Sequence, residues 1–103
     1  DFSKARGWYL QAADQAHSEA QFNLGTMYFM GRGTDQDDAE AAVWFRVAAK
    51  RGHSDAQFNL GAMYLEGRGV AKDMDAGLEL LHKAADQGHA NAQKIIDQVS
   101  AGS

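Results

Sequence analysis

The sequence contains no cysteine and no proline. Without cysteine there is no disulfide and no thiolate metal site, although the absence selects no redox compartment, since cysteine-free chains occur in all of them. Without proline the usual helix breaker is gone, which favours an all-helical chain punctuated by its 11 glycines. Positive charge is also scarce: 10 Lys and Arg stand against 14 Asp and Glu, for a net charge of -4. Nucleic-acid binding draws most of its affinity from clustered cations, so no nucleic-acid partner is expected. No apolar run approaches the roughly 18 to 20 residues a membrane helix requires, so no membrane insertion is expected either. The opening Asp1-Phe2-Ser3-Lys4 is neither an initiator Met nor a signal peptide, and it reads as the start of an excised segment. What remains is an ordinary soluble composition, 45% hydrophobic and 23% charged over 103 residues, enough for one folding unit.

The chain repeats. Ala20 to Gly33 reads Ala-Gln-Phe-Asn-Leu-Gly-Thr-Met-Tyr-Phe-Met-Gly-Arg-Gly, and it returns from Ala56 to Gly69 as Ala-Gln-Phe-Asn-Leu-Gly-Ala-Met-Tyr-Leu-Glu-Gly-Arg-Gly, 36 residues on. Half the positions of Asp1 to Gln36 recur unchanged in Asp37 to Lys72. A period of this length marks one supersecondary unit stacked on copies of itself.

Apolar residues at Ala5, Trp8, Tyr9, Ala12 and Ala13 are spaced by three and four, which predicts a helix over Ser3 to Gln15. The same spacing recurs at Ala41, Trp44, Phe45, Ala48 and Ala49, then at Gly77, Leu80, Leu81, Ala84 and Ala85. These are the second helices of each unit. The first helices carry Ala20, Leu24, Met27 and Tyr28, and then Ala56, Leu60, Met63 and Tyr64, on one face. Ser18 to Gln21 and Ser54 to Gln57 read as capping boxes, and Asp37 and Asp73 as caps of second helices. Gly25 and Gly61 lie inside first helices, where glycine costs roughly 1 kcal/mol relative to Ala, so close approach of the second helix is expected there, with Trp44 or Phe45 over the gap. The reading divides one domain, 1–103, into a half repeat at 1–17, repeats at 18–53 and 54–89, and a C-terminal capping helix at 90–103 whose Gln93-Lys94-Ile95-Ile96 departs from the pattern. The N-terminal helix has no such cap, so Phe2, Trp8 and Tyr9 are expected to meet further repeats upstream or to drive self-association.

The pattern Ala-Gln-Phe-x-Leu-Gly-x-Met-Tyr-x-x-Gly-x-Gly, followed by Asp and then Ala-x-x-Trp-Phe-x-x-Ala-Ala-x-x-Gly, resembles the Sel-one-like repeat, a relative of the tetratricopeptide repeat. The resemblance covers nearly the whole chain. It departs in lacking the proline often found before the loop's Asp, where Thr34-Asp35 and Val70-Ala71 stand, and in lacking the cysteines of some bacterial members. It implies an all-α fold, a right-handed α-solenoid of antiparallel helix pairs with about six helices. It also implies a concave groove lined by the first helices, used as a scaffold or adaptor for other proteins.

On that frame the outward face of the first helix is Glu19, Phe22, Asn23, Thr26, Phe29 and Met30, and in the next unit Asp55, Phe58, Asn59, Ala62, Leu65 and Glu66. Asn23 and Asn59 would hold a peptide backbone through their amides, with Phe22, Phe58, Phe29 and Met30 as apolar anchors. Phe22 and Phe58 also read as rings packed between neighbouring first helices; if they are anchors, replacing both by Ala weakens binding and leaves melting nearly unchanged. His17, His53 and His89 recur once per unit, yet equivalent positions about 10 Å apart cannot share one zinc. They read as structural or exposed turn residues. Gly-Arg-Gly follows a helix and lacks the Lys-Ser/Thr of a phosphate loop, so Arg32 and Arg68 are expected to pair with Asp35, Asp37 or Asp73. No nucleophile, acid–base pair or cofactor motif is brought together by the period, so the chain reads as non-enzymatic and without cofactor or metal. The expected function is binding of a protein or peptide partner, with a spacer segment of a longer repeat protein as the rival reading and a hydrolase as the remote one.

Overall fold

The computed structural model describes residues 17–102. Among the described residues five helices follow one another: α1 over residues 17–30, α2 Asp38–Lys50, α3 Ser54–Glu66, α4 Met74–Asp86 and α5 Ala90–Ala101. There is no strand among the described residues. The helix expected over Ser3 to Gln15, and with it the uncovered end at Phe2, Trp8 and Tyr9, lies outside the described residues.

Helices of this length are marginal alone in water, so packing must hold them. Each is antiparallel to the next. Gln57, at the start of α3, donates from Nε2 to the Ala49 carbonyl at the end of α2, 3.2 Å away. Leu65, near the end of α3, lies against Gly77 near the start of α4. The repeated Ala-Ala and aromatic positions fill the space between: Ala41, Ala42, Phe45, Ala48 and Ala49 of α2 pack on Ala56, Leu60 and Met63 of α3. Leu81 and Ala84 of α4 pack on Ala92 and Ile96 of α5. Phe45 and Leu81 are fully buried, each contributing roughly 1.5–3 kcal/mol.

The glycines inside the two first helices, Gly25 and Gly61, have the expected cause. A Cβ on Gly25 would stand 2.7 Å from Phe45 Cδ1, and one on Gly61 would stand 2.9 Å from the carbonyl oxygen of Gly77. Of the two candidate aromatics it is Phe45, not Trp44, that closes the gap at Gly25.

Second helices start as read from the sequence. The carboxylates of Asp37 and Asp73 accept from the backbone N–H of Glu40 at 3.1 Å and Ala76 at 3.0 Å. The first helix α3 does not. The cap of α3 is His53, not Ser54, and Ser54 is the first helical residue. His53 Nδ1 accepts from the Ala56 N–H at 3.2 Å. Gln57, the other half of the expected capping box, turns instead to Ala49 and accepts from Gln87 Nε2 at 2.8 Å. The same cap returns at α5, where His89 Nδ1 accepts from the Ala92 N–H at 3.2 Å although Ala90 has replaced the serine.

In the Gly-Arg-Gly turn, Gly67 and Gly69 take φ of 69° and 74°, which only glycine adopts at little cost. At Gly69 a Cβ would also collide with the Asp38 carbonyl. The turn is thereby pressed onto the preceding unit. Arg68 does not pair with Asp35, Asp37 or Asp73: its Nε donates to Asp38 Oδ2 at 2.8 Å, and its guanidinium lies over the Phe29 ring at 4.2 Å. The Gly69 turn seats against the Asp38 backbone, which brings Asp38 rather than Asp37 to the arginine.

Candidate partner-binding face

Neighbouring first helices are joined through the capping histidines. His53 Nε2 lies 2.9 Å from Glu19 Oε2 of α1, and its ring stacks on Phe22 with centroids 4.7 Å apart. One unit on, His89 Nε2 lies 2.8 Å from Asp55 Oδ1 and the ring stacks on Phe58 at 4.6 Å. Because Nδ1 accepts a backbone N–H, the ring's hydrogen belongs on Nε2, where it is donated to the carboxylate. Each histidine thus caps its own helix, stacks on the previous first helix and bonds its acid.

This arrangement sorts the twelve candidate residues. Phe22 and Phe58 are half-buried, held by His53 and His89, and Phe22 also meets Phe45 at 5.6 Å. Phe29 and Leu65 turn toward second helices: Phe29 lies 6.2 Å from Phe45, and Leu65 Cδ2 is the atom that a Cβ on Gly77 would meet at 2.7 Å. The other eight follow one stripe per helix, Glu19, Asn23, Thr26 and Met30 on α1 and Asp55, Asn59, Ala62 and Glu66 on α3. Spacings of four, three and four keep each stripe on one side of its helix.

Within the stripes, Glu19 and Asp55 are exposed carboxylates already bonded to histidine. The Thr26 hydroxyl donates to the Phe22 carbonyl at 3.1 Å. Asn23 is exposed and Asn59 half-buried, and neither amide has a hydrogen-bond partner among the described residues. Met30 is 57% exposed. The histidine joints were missed in the sequence, yet a signal was there: His53 and His89 each stand one residue before a first helix and 34 residues after an acid, Glu19 or Asp55.

Stacked helix pairs joined first helix to first helix, leaving one aligned side-chain stripe on each, define an α-solenoid of the tetratricopeptide-like class. The model of the Sel1 repeat matches residues 1–17, 18–53 and 54–89, and the chain belongs to that family. Among solved structures, the Sel1 repeat protein of Oxalobacter formigenes is 34% identical at a TM-score of 0.81, over 85% of this chain and 36% of that one. A protective antigen of uropathogenic Escherichia coli strains with the same fold is 40% identical at a TM-score of 0.74, over 90% of this chain and 20% of that one. Cysteine-rich protein B of Helicobacter pylori shares the fold at 23% identity and a TM-score of 0.74, over 92% of this chain and 71% of that one. The chain therefore spans about a third and a fifth of the first two. All three neighbours are bacterial. No curated protein sequence matches the chain. Sel1 repeats generally mediate protein–protein interaction, as scaffolds.

Proposed function

We propose that this segment is a non-enzymatic scaffold that holds a peptide or protein partner along the stripes of α1 and α3, in the concave groove of the solenoid. The observation that carries the reading is the pair Asn23 and Asn59: one repeat apart, on the same side of adjacent first helices, with amides that the fold leaves unused. An amide offers both donor and acceptor, the two functions needed to grip an extended backbone. Met30 and the alkyl part of Thr26 supply apolar contact beside them, and Ala62 leaves room at the matching place on α3. Of the four anchors expected from the sequence, Phe22, Phe58 and Phe29 are engaged in packing, which leaves Met30 as the exposed apolar contact.

A spacer reading draws on one observation of its own: Glu19 and Asp55, two of the four positions nearest the stripe ends, are engaged in joining units. Selection of ligands from a displayed peptide library, followed by amide-shift mapping on labelled protein, separates the two. Ligands whose shifts follow Asn23, Thr26, Asn59 and Ala62 support the scaffold. A selection that yields no ligand on this face supports the spacer.

A further inference from the structure

On the side of α3 turned away from the Asn59 stripe, α2 and α4 leave a cleft of about 270 Å³ between them. Leu60, only 2% exposed, forms its floor, and Ala49, Ala76 and Leu80 give it apolar walls. Its rim is basic. Arg46 and Lys50 come from α2 and Lys83 from α4, against the single carboxylate of Glu79. In a chain of net charge -4 with 10 cations in all, this gathers positive charge at one place.

The repeat does not require these charges. One unit on, Arg46 corresponds to His82 and Lys50 to Asp86, and one unit back Lys83 corresponds to Val47. The fold forms equivalent helices without them. Arg46 Nη2 donates to the Tyr64 hydroxyl at 2.9 Å, which steadies the guanidinium at the rim while its other N–H groups stay unengaged among the described residues. Lys83 Nζ is 3.7 Å from Glu79 Oε1, both well exposed, an ion pair that an incoming carboxylate can replace. The volume is below the roughly 300–1,000 Å³ of small-molecule sites and fits one side chain of a larger partner.

We propose that this cleft binds an acidic peptide segment of a partner protein, seating one aliphatic side chain on Leu60 and Leu80 and its flanking carboxylates on Arg46, Lys50 and Lys83. Arginine accepts a carboxylate in a two-bond fork, and the lysines add charge on either side. The site is separate from the α1–α3 stripes, so one can be lost while the other remains.

The test is titration of the ¹⁵N-labelled chain with a blocked hexapeptide of sequence Asp-Glu-Leu-Asp-Glu-Leu, beside its Lys-Lys-Leu-Lys-Lys-Leu counterpart. Saturable shifts are expected for residues 46–50, 60–64 and 76–83 with the acidic peptide and none with the basic one. Lys50→Glu with Lys83→Glu should weaken binding by on the order of tenfold, as charge reversal at a complementary surface does. Glu79→Gln should tighten it a few-fold, a gain that misfolding cannot mimic. Asn23→Ala with Asn59→Ala should bind the acidic peptide as the unaltered chain does. Absent shifts, shifts confined to α1 and α3, or equal affinity in the lysine variant would overturn the proposal. So would the same shifts appearing with protein concentration alone, which would assign the cleft to a second copy of the chain.

Discussion

At His53 one imidazole meets three needs: an orphan N–H at the start of α3, a stacking surface for Phe22, and a donor for Glu19. Its replacement by Ala removes all three. We expect His53→Ala to cost about 1–3 kcal/mol, more than the roughly 0.5–2 kcal/mol of a lost cap alone. His53→Asn should recover the cap share, since Asn is among the best N-cap residues, but not the stack. Urea unfolding of the three proteins checks the order; His53→Asn as unstable as His53→Ala would remove the cap from the account. The Phe22 ring shares this joint, so Phe22→Ala is expected to cost roughly 2–3 kcal/mol, somewhat less than for a fully buried ring. That differs from the nearly unchanged melting an anchor role implies, and a thermal melt of the single variant distinguishes them.

At the scale of the helix, the sequence was most legible where one residue answers one local need. Period and apolar spacing placed α2 to α5 to within a residue or two, and the caps at Asp37 and Asp73 stand where the pattern put them. The glycines inside first helices pointed to close approach, and the approach is there. Gly61→Ala should therefore cost about 1–3 kcal/mol by overpacking, because the obstructing atom is the Gly77 carbonyl and backbone cannot swing aside. Gly88→Ala tests a different cause: nothing lies within 4 Å of its would-be Cβ, and the cost of about 1 kcal/mol comes from φ of 89° alone. No loss at Gly61→Ala, or a loss at Gly88→Ala well above about 1 kcal/mol, measured by denaturant midpoint, would contradict this division. The cap of α3 was misread because serine is the commoner cap and lies one place from the residue that does it. Only the third copy, where His89 remains and Ala90 replaces serine, separates the two in the sequence.

Across the whole molecule, the units are coupled by contacts that single-copy reading cannot see. Arg68 reaches back to Asp38 and Phe29, and Gln57 ties the end of α2 to the end of α4 through Gln87. A repeat period tells which residues correspond, but not which acid of the neighbouring unit an arginine will find. The basic cleft at Arg46, Lys50 and Lys83 was illegible for the same reason: its members come from two helices and do not recur with the period. For the Arg68–Asp38 pair, partly exposed on both sides, a double-mutant cycle with Ala is expected to give a coupling of about 0.5–1 kcal/mol. Zero coupling would leave the histidine joints, the Gln57–Gln87 bond and the apolar contacts to join the units.

Packing engages Phe22, Phe58, Phe29 and Leu65, and we propose that Asn23 and Asn59 serve a partner. The measurement that tests it most directly is the affinity of a library-selected peptide for the chain and for its Asn23→Ala, Asn59→Ala variant, alongside the melting temperature of each. Because neither amide is bonded among the described residues, stability should stay within about 0.5 kcal/mol, the usual range for such surface changes. Affinity is predicted to fall by about tenfold or more, as unpaired backbone groups on the peptide lose their partners. Unchanged affinity with unchanged melting would rule out the two asparagines as partner-binding residues.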